Sequence, residues 1–249
     1  MSLPQLGCFQ KLNVVNQSTV VTDIEVIKMV AALNQIIPAF ARDWKMMTVP
    51  ATIIPNGAPL LTGPSVLNVL IIDDTDIPGS AGYHTLYNGT ATVKIFANTI
   101  LTAGGVTLYE DTRTKATISH VLSHEVLEAL IDPKCIQWQL NPNTGVMYAL
   151  EIGDPVDGNV KVVRLTDGTR VTVTDWVLPA WYDTQNTIGP YNNLDTLSAP
   201  FSLAPAGYMM TTSGGTVSYV YGSAVPEATK TYLQLSTRTL TRVAAVRAL

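Results

Sequence analysis

A chain of 249 residues, 47% apolar and only 14% charged, is long enough to bury a sizeable core and too apolar for a disordered or highly charged scaffold. The net charge of −4 is unevenly spread: after Glu227 come four basic residues (Lys230, Arg238, Arg242 and Arg247) and no acid, so residues 1–227 carry −8. That balance argues against nucleic acid as a partner of the body; the basic tail is the part suited to nucleic acid or an acidic partner, and its plainer reading is a solvated strand or helix end.

Two cysteines, Cys8 and Cys135, are too few for a disulfide framework or a thiolate zinc site. The start, Met-Ser-Leu-Pro-Gln-Leu-Gly, lacks the cationic and apolar regions of a secretion signal, and no apolar run approaches the ~18 residues that span a bilayer. The expectation is a soluble protein made in the cytoplasm, without membrane association.

In chain order, residues 12–22 are rich in β-branched side chains and read as a strand with a turn at Asn16-Gln17. Asp23 is expected to cap a helix running to about Trp44, with Pro38 kinking or breaking it. Thr48–Ile54 and Val66–Asp73 read as strands, the second apolar enough to be central in a sheet. Residues 73–90, with their Asp, Pro and Gly, read as a loop carrying His84, and Thr90–Ile100 as an alternating strand at a sheet edge. Strong helix formers then predict a helix over 116–132, ended by Pro133. Beyond it, Val146–Ile152, a hairpin of Val160–Leu165 with Arg170–Thr174, Val217–Tyr221 and Thr231–Ser236 read as strands around an irregular, Pro- and aromatic-rich segment at 176–215. The pattern implies an α+β fold: a mixed-sheet domain over residues 10–135, then a β-rich portion over 136–249 that completes the site and ends in the basic tail.

The helix at 116–132 carries the chemistry. At about 100° per residue, His120, His124, Glu128 and Asp132 fall on one stripe at i+4 steps, while Ile118, Leu122, Val126, Leu127 and Leu130 make the rest apolar. Burying such a stripe costs several kcal/mol unless something pairs with it, and a bound cation does so. His120 to Asp132 spans about 18 Å, so only neighbouring turns can share an ion. His124 and Glu128 fit, with Glu125 placed to take a proton from water on that ion. A carboxylate at 128, where zinc hydrolase helices carry His, admits zinc while leaving calcium or manganese as alternatives.

A third ligand is expected from Glu151 or Asp154. His120 is expected to be a donor to a ligand or a satisfied, partly buried histidine, and Asp132 a helix-end residue bonding nearby backbone. The contrasting reading of His124 with Glu128 is a structural ion network without metal.

His124-Glu-x-x-Glu128-x-x-x-Asp132-Pro133 resembles the active helix of zincin-like metallopeptidase-type proteins of phage and prophage origin, and more distantly exordium-type proteins. Gly82-Tyr-His84, Glu151-Ile-Gly-Asp154-Pro155-Val156 and Pro200–Met209 extend the likeness over residues 70–210. The resemblance implies a zincin-like mixed sheet with an edge strand above the metal, where a peptide or protein substrate can add as a strand. It also implies Glu151 and Asp154 near the ion, and His84 or Tyr208 steadying an oxyanion. The resulting expectation is a metal-dependent peptidase using Glu125. Its alternative is a virion or structural protein, partnered by other virion proteins, that keeps the scaffold with a structural metal or none.

Overall fold

The computed structural model describes residues 7–235 together with Arg242. Strand β1 (Lys11–Asn16) leads into helix α1 (Asp23–Asp43), followed by β2 (Ala51–Ile54), β3 (Val66–Ile72), β4 (Gly82–Tyr87), β5 (Thr90–Phe96), the short helix α2 (Ala97–Thr102) and helix α3 (Ile118–Ile131). Then come β6 (Trp138–Leu140), β7 (Met147–Ala149), the hairpin β8 (Val160–Arg164) and β9 (Arg170–Thr174), β10 (Tyr208–Ser213), β11 (Thr216–Tyr221) and helix α4 (Glu227–Leu235). Mixed helices and several sheets make this an α+β fold.

Helix α1 begins one residue earlier than the sequence suggests, with Thr22 as its cap. The Thr22 hydroxyl accepts from the Glu25 amide at 3.3 Å and the Glu25 carboxylate accepts from the Thr22 amide at 2.9 Å, a reciprocal arrangement that satisfies two otherwise orphaned donors. Val26, Met29, Val30, Leu33, Ile37 and Phe40 give it a buried face, which fixes it on the sheet. Pro38 neither breaks nor ends the helix. By length and composition α1 passes for a membrane span, yet half of that stretch is buried inside the fold, as in the core helix of a globular domain.

The main sheet has the order β2-β1-β3-β5-β4. Its first four strands are parallel, and β4 pairs antiparallel to β5. Parallel strands covered on both faces read as continuous apolar runs, as β3 does. Asn13 of β1 and Asn68 of β3, both buried, lie opposite one another, and Asn13 Nδ2 donates to Asn68 Oδ1 at 3.1 Å. Two sequence expectations fail here. The loop at 73–90 contains β4, which turns tightly into β5 through Asn88 and Gly89, both with positive φ; such a turn matches the natural strand twist. The sheet edge is therefore β4, while Thr90–Ile100 supplies the inner strand β5 and then becomes helical at Ala97.

Helix α3 is capped by the Thr117 hydroxyl, which accepts from the His120 amide at 3.0 Å, and it stops before Pro133. Every residue in it except Val121 is buried, because it packs on β4 and β5, on α1 and on β9. One apolar cluster runs from Phe9 to Met210 through both expected portions of the chain.

The second sheet, β11-β10-β7-β6, draws on segments expected otherwise. Val146–Ile152 holds only the three-residue strand β7, and the segment 176–215 contributes β10. Thr231–Ser236 is not a strand: its described residues lie in α4. Of the basic tail only Lys230 and Arg242 are described, and Arg238 and Arg247 lie outside the described residues.

Candidate metal centre

Three segments converge below the edge strand. Helix α3 brings His120, His124, Glu125 and Glu128; β4 brings His84; the turn that follows β7 brings Glu151, Asp154 and Asp157. All but Asp157 are buried. Gly153 makes the approach of this turn to α3 feasible: a Cβ there would sit 2.6 Å from His124 Nδ1, so a side chain would push the histidine away.

His124 Nε2 lies 3.4 Å from Glu128 Oε1 and 3.3 Å from Asp154 Oδ1. Ligand atoms of these three residues fall within 4.8 Å of one another, which fits a cation. The Gly153 amide also donates to Glu128 Oε1 at 3.1 Å. Burial works to lower the His124 pKa, but the Glu128 charge and the bonds to Asp154 and Glu128 outweigh it and hold it well above its usual value. Burial, reinforced by the Asp154 charge, pushes the Glu128 carboxyl up to about 7.

Glu151 does not join this group. Its Oε1 receives Arg242 Nη2 at 2.7 Å, and the same guanidinium reaches Asp132 Oδ2 at 2.8 Å and the Gln137 carbonyl at 2.7 Å. Arg242 is fully buried, which corrects the solvated-tail reading for this residue. Asp132 bonds backbone at the helix end as expected, accepting from the Ile136 and Gln137 amides at 3.3 and 2.8 Å.

His84 is a buried strand residue rather than a loop histidine. Its Nδ1 lies 3.1 Å from Glu125 Oε2 and its Nε2 3.2 Å from the Asp132 carbonyl. Burial lowers its pKa, yet Cys135 and Glu151 beside it, with the bond to Glu125, raise it well above the ordinary histidine value.

A cleft of about 460 Å³ opens over α3, lined by Tyr83, His120, His124, Glu125, Asp157 and Tyr208 among others, with Ala228 and Thr229 of α4 also contributing. His84, Glu128 and Asp154 are not on its wall. The oxyanion role expected of His84 therefore has no access to a ligand in the cleft, whereas Tyr208 does.

His120 departs from expectation as well. Its Nε2 is buried and has no hydrogen-bond partner among the described residues, an omission that costs about 1–3 kcal/mol. Burial, and then the nearby charge of His124, depress its pKa to about 3, so the ring is neutral. Sequence reasoning missed Asp157 and Arg242 as members of this neighbourhood. Asp157 follows Asp154 at i+3, and the single turn of 3-10 helix at Asp154–Val156 puts both near α3; that spacing was a readable signal. For Arg242, nothing local announces a partner 91 or 110 residues earlier.

Compared with known proteins, the chain matches no family model, no curated protein and no solved structure.

Proposed function

We propose that the protein is a zincin-like, metal-dependent hydrolase of peptide bonds, of the phage-type kinship its helix motif suggests, with a divalent ion such as zinc bound at His124, beside which Glu128 and Asp154 lie. One observation carries this reading. Five carboxylates of one neighbourhood, Glu125, Glu128, Asp132, Glu151 and Asp154, are buried, and Arg242 is the only buried lysine or arginine among the described residues. Arg242 answers Asp132 and Glu151; for Glu128 and Asp154, which flank His124 Nε2, burial of charge costs several kcal/mol per ion, and a divalent cation at His124 offsets it.

Such an ion supplies Lewis-acid polarisation of a carbonyl and makes water acidic enough to lose a proton near neutral pH. Glu125, on the cleft wall beside His124, would take a proton from the attacking water and hand it to the leaving amine. His84 acts through Glu125, whose carboxylate it orients at 3.1 Å. Tyr208 offers a hydroxyl to the developing oxyanion. The edge strand β4, whose Gly82 and Tyr83 line the cleft, suits a peptide or protein substrate laid down as an added strand.

A second reading has its own support. A protonated His124 between Glu128 and Asp154 satisfies the same carboxylates without metal, as a scaffold protein of virion type would need. Metal analysis and peptidase assays separate the two. The hydrolase reading expects one equivalent of divalent ion, retained in Glu125→Gln, whose kcat falls by about 10²–10⁴. No stoichiometric ion, with hydrolysis unaltered in that variant, rejects it and favours the scaffold.

A further inference from the structure

We propose that the cleft wall carries a second seat for the ion, formed by His120, His124 and Asp157, and that a zinc-class cation takes this seat in preference to the inner one. The inference rests on the reading that a divalent ion binds at His124, but not on the peptidase activity.

A ring nitrogen of His120, a ring nitrogen of His124 and a carboxylate oxygen of Asp157 lie within 4.8 Å of one another. Bonds of about 2.1 Å to a common ion require these atoms to draw in by roughly an ångström, a shift within reach of Asp157, which is only partly buried. His120 is 8% exposed and its Nε2 has no partner among the described residues. A buried imidazole nitrogen that no described residue meets, aimed at two other donor groups, is what a metal ligand looks like before its ion arrives. By contrast Glu128 already accepts from the Gly153 amide.

Access separates the seats too. All three residues of the outer group line the cleft, whereas only His124 of the inner group does. An ion that polarises a substrate must keep a position open to it, and only the outer seat has that exposure. Ligand chemistry points the same way: two imidazoles with one carboxylate suit zinc or cobalt, while one imidazole with two carboxylates suits harder ions such as manganese or calcium. Because His124 belongs to both groups, the seats are alternatives for one ion.

X-ray absorption on the zinc-loaded full chain counts imidazoles around the metal, and cobalt titrations of His120→Gln, Asp157→Asn and Asp154→Asn measure each contribution. Two imidazoles are expected, with cobalt affinity falling at least about tenfold in His120→Gln and in Asp157→Asn, since even residues that merely support a ligand are worth that much. Melting curves without metal check that each variant folds, and the partly exposed Asp157 keeps the test alive should His120→Gln misfold. One imidazole, with affinity unchanged in Asp157→Asn and lost in Asp154→Asn, overturns the outer seat and leaves the hydrolase reading intact. Two imidazoles without peptide cleavage sustain the seat while the hydrolase reading falls; a wild-type chain that binds no divalent ion removes both.

Discussion

The two ends of α3 handle buried polar groups in opposite ways. At its C-terminal end Asp132 and Glu151 share one guanidinium, which is itself held by the Gln137 carbonyl and lies over the Trp138 ring at 5.3 Å. None of these residues lines the cleft. Toward its N-terminal end His120 keeps a buried nitrogen without a partner among the described residues, and His124 and Glu125 line the cleft. A closed network of charges stabilises position; an incomplete one beside a cavity retains free energy to spend on a ligand. About 10 Å of helix, roughly two turns at ~1.5 Å per residue, separate Glu125 in the cleft from Asp132 in the closed network.

The sharpest way to break this contrast is at the closed end. Arg242→Met leaves Asp132 and Glu151 buried without compensation, and we expect a loss of about 3–5 kcal/mol in urea unfolding. A loss below about 1 kcal/mol would mean that the network is not closed. The next effect lies at the junction. Gly153→Ala drives a methyl group into His124, for an expected loss of about 1–3 kcal/mol together with weaker metal binding; unchanged affinity would detach the turn from the site.

The smallest effect is in pH dependence. His120 has a folded-state pKa of about 3 against 6.5 for the free side chain, so the unfolded chain takes up a proton that the folded one refuses. Its contribution is fully present above about pH 6.5 and is lost as pH falls toward 3. His124 runs the other way: its raised pKa gives stability present below 6.5 and lost as pH rises through the folded value. Comparing metal-free wild type with His120→Gln at pH 7 and 5 isolates the first group, with a difference on the order of 1 kcal/mol expected. Equal slopes in the two proteins would contradict it.

Much of this architecture is legible without coordinates, for local reasons. Strong helix formers from 116 and Pro133 after them bound α3, the mostly apolar run of β3 places it inside the sheet, and Asp167-Gly168 marks the hairpin of β8 with β9. Strand β4 was hidden because turn-forming residues on either side of Gly82–Tyr87 made the whole segment look like a loop. The α4 segment reads as a strand because Thr231 and Tyr232 favour strands by propensity; in the fold it is helical, with its Leu233 carbonyl accepting from the Tyr219 hydroxyl at 3.2 Å. In the site, the i, i+4 spacing brought His124 beside Glu128, and Asp154 reaches them as one of two residues considered. The division of labour between Asp154 and Glu151 was illegible, because it depends on a guanidinium far along the chain.

That separation sets an order on synthesis. Asp132 and Glu151 leave the ribosome well before Arg242, which follows Glu151 by 91 residues. At ordinary elongation rates the two acids wait about 5–20 s for their counter-ion. Until then the C-terminal end of α3 cannot settle against the turn that bears Glu151 without burying like charges together, so the nascent chain keeps this corner hydrated and open. Closure of the corner therefore belongs among the last events of folding.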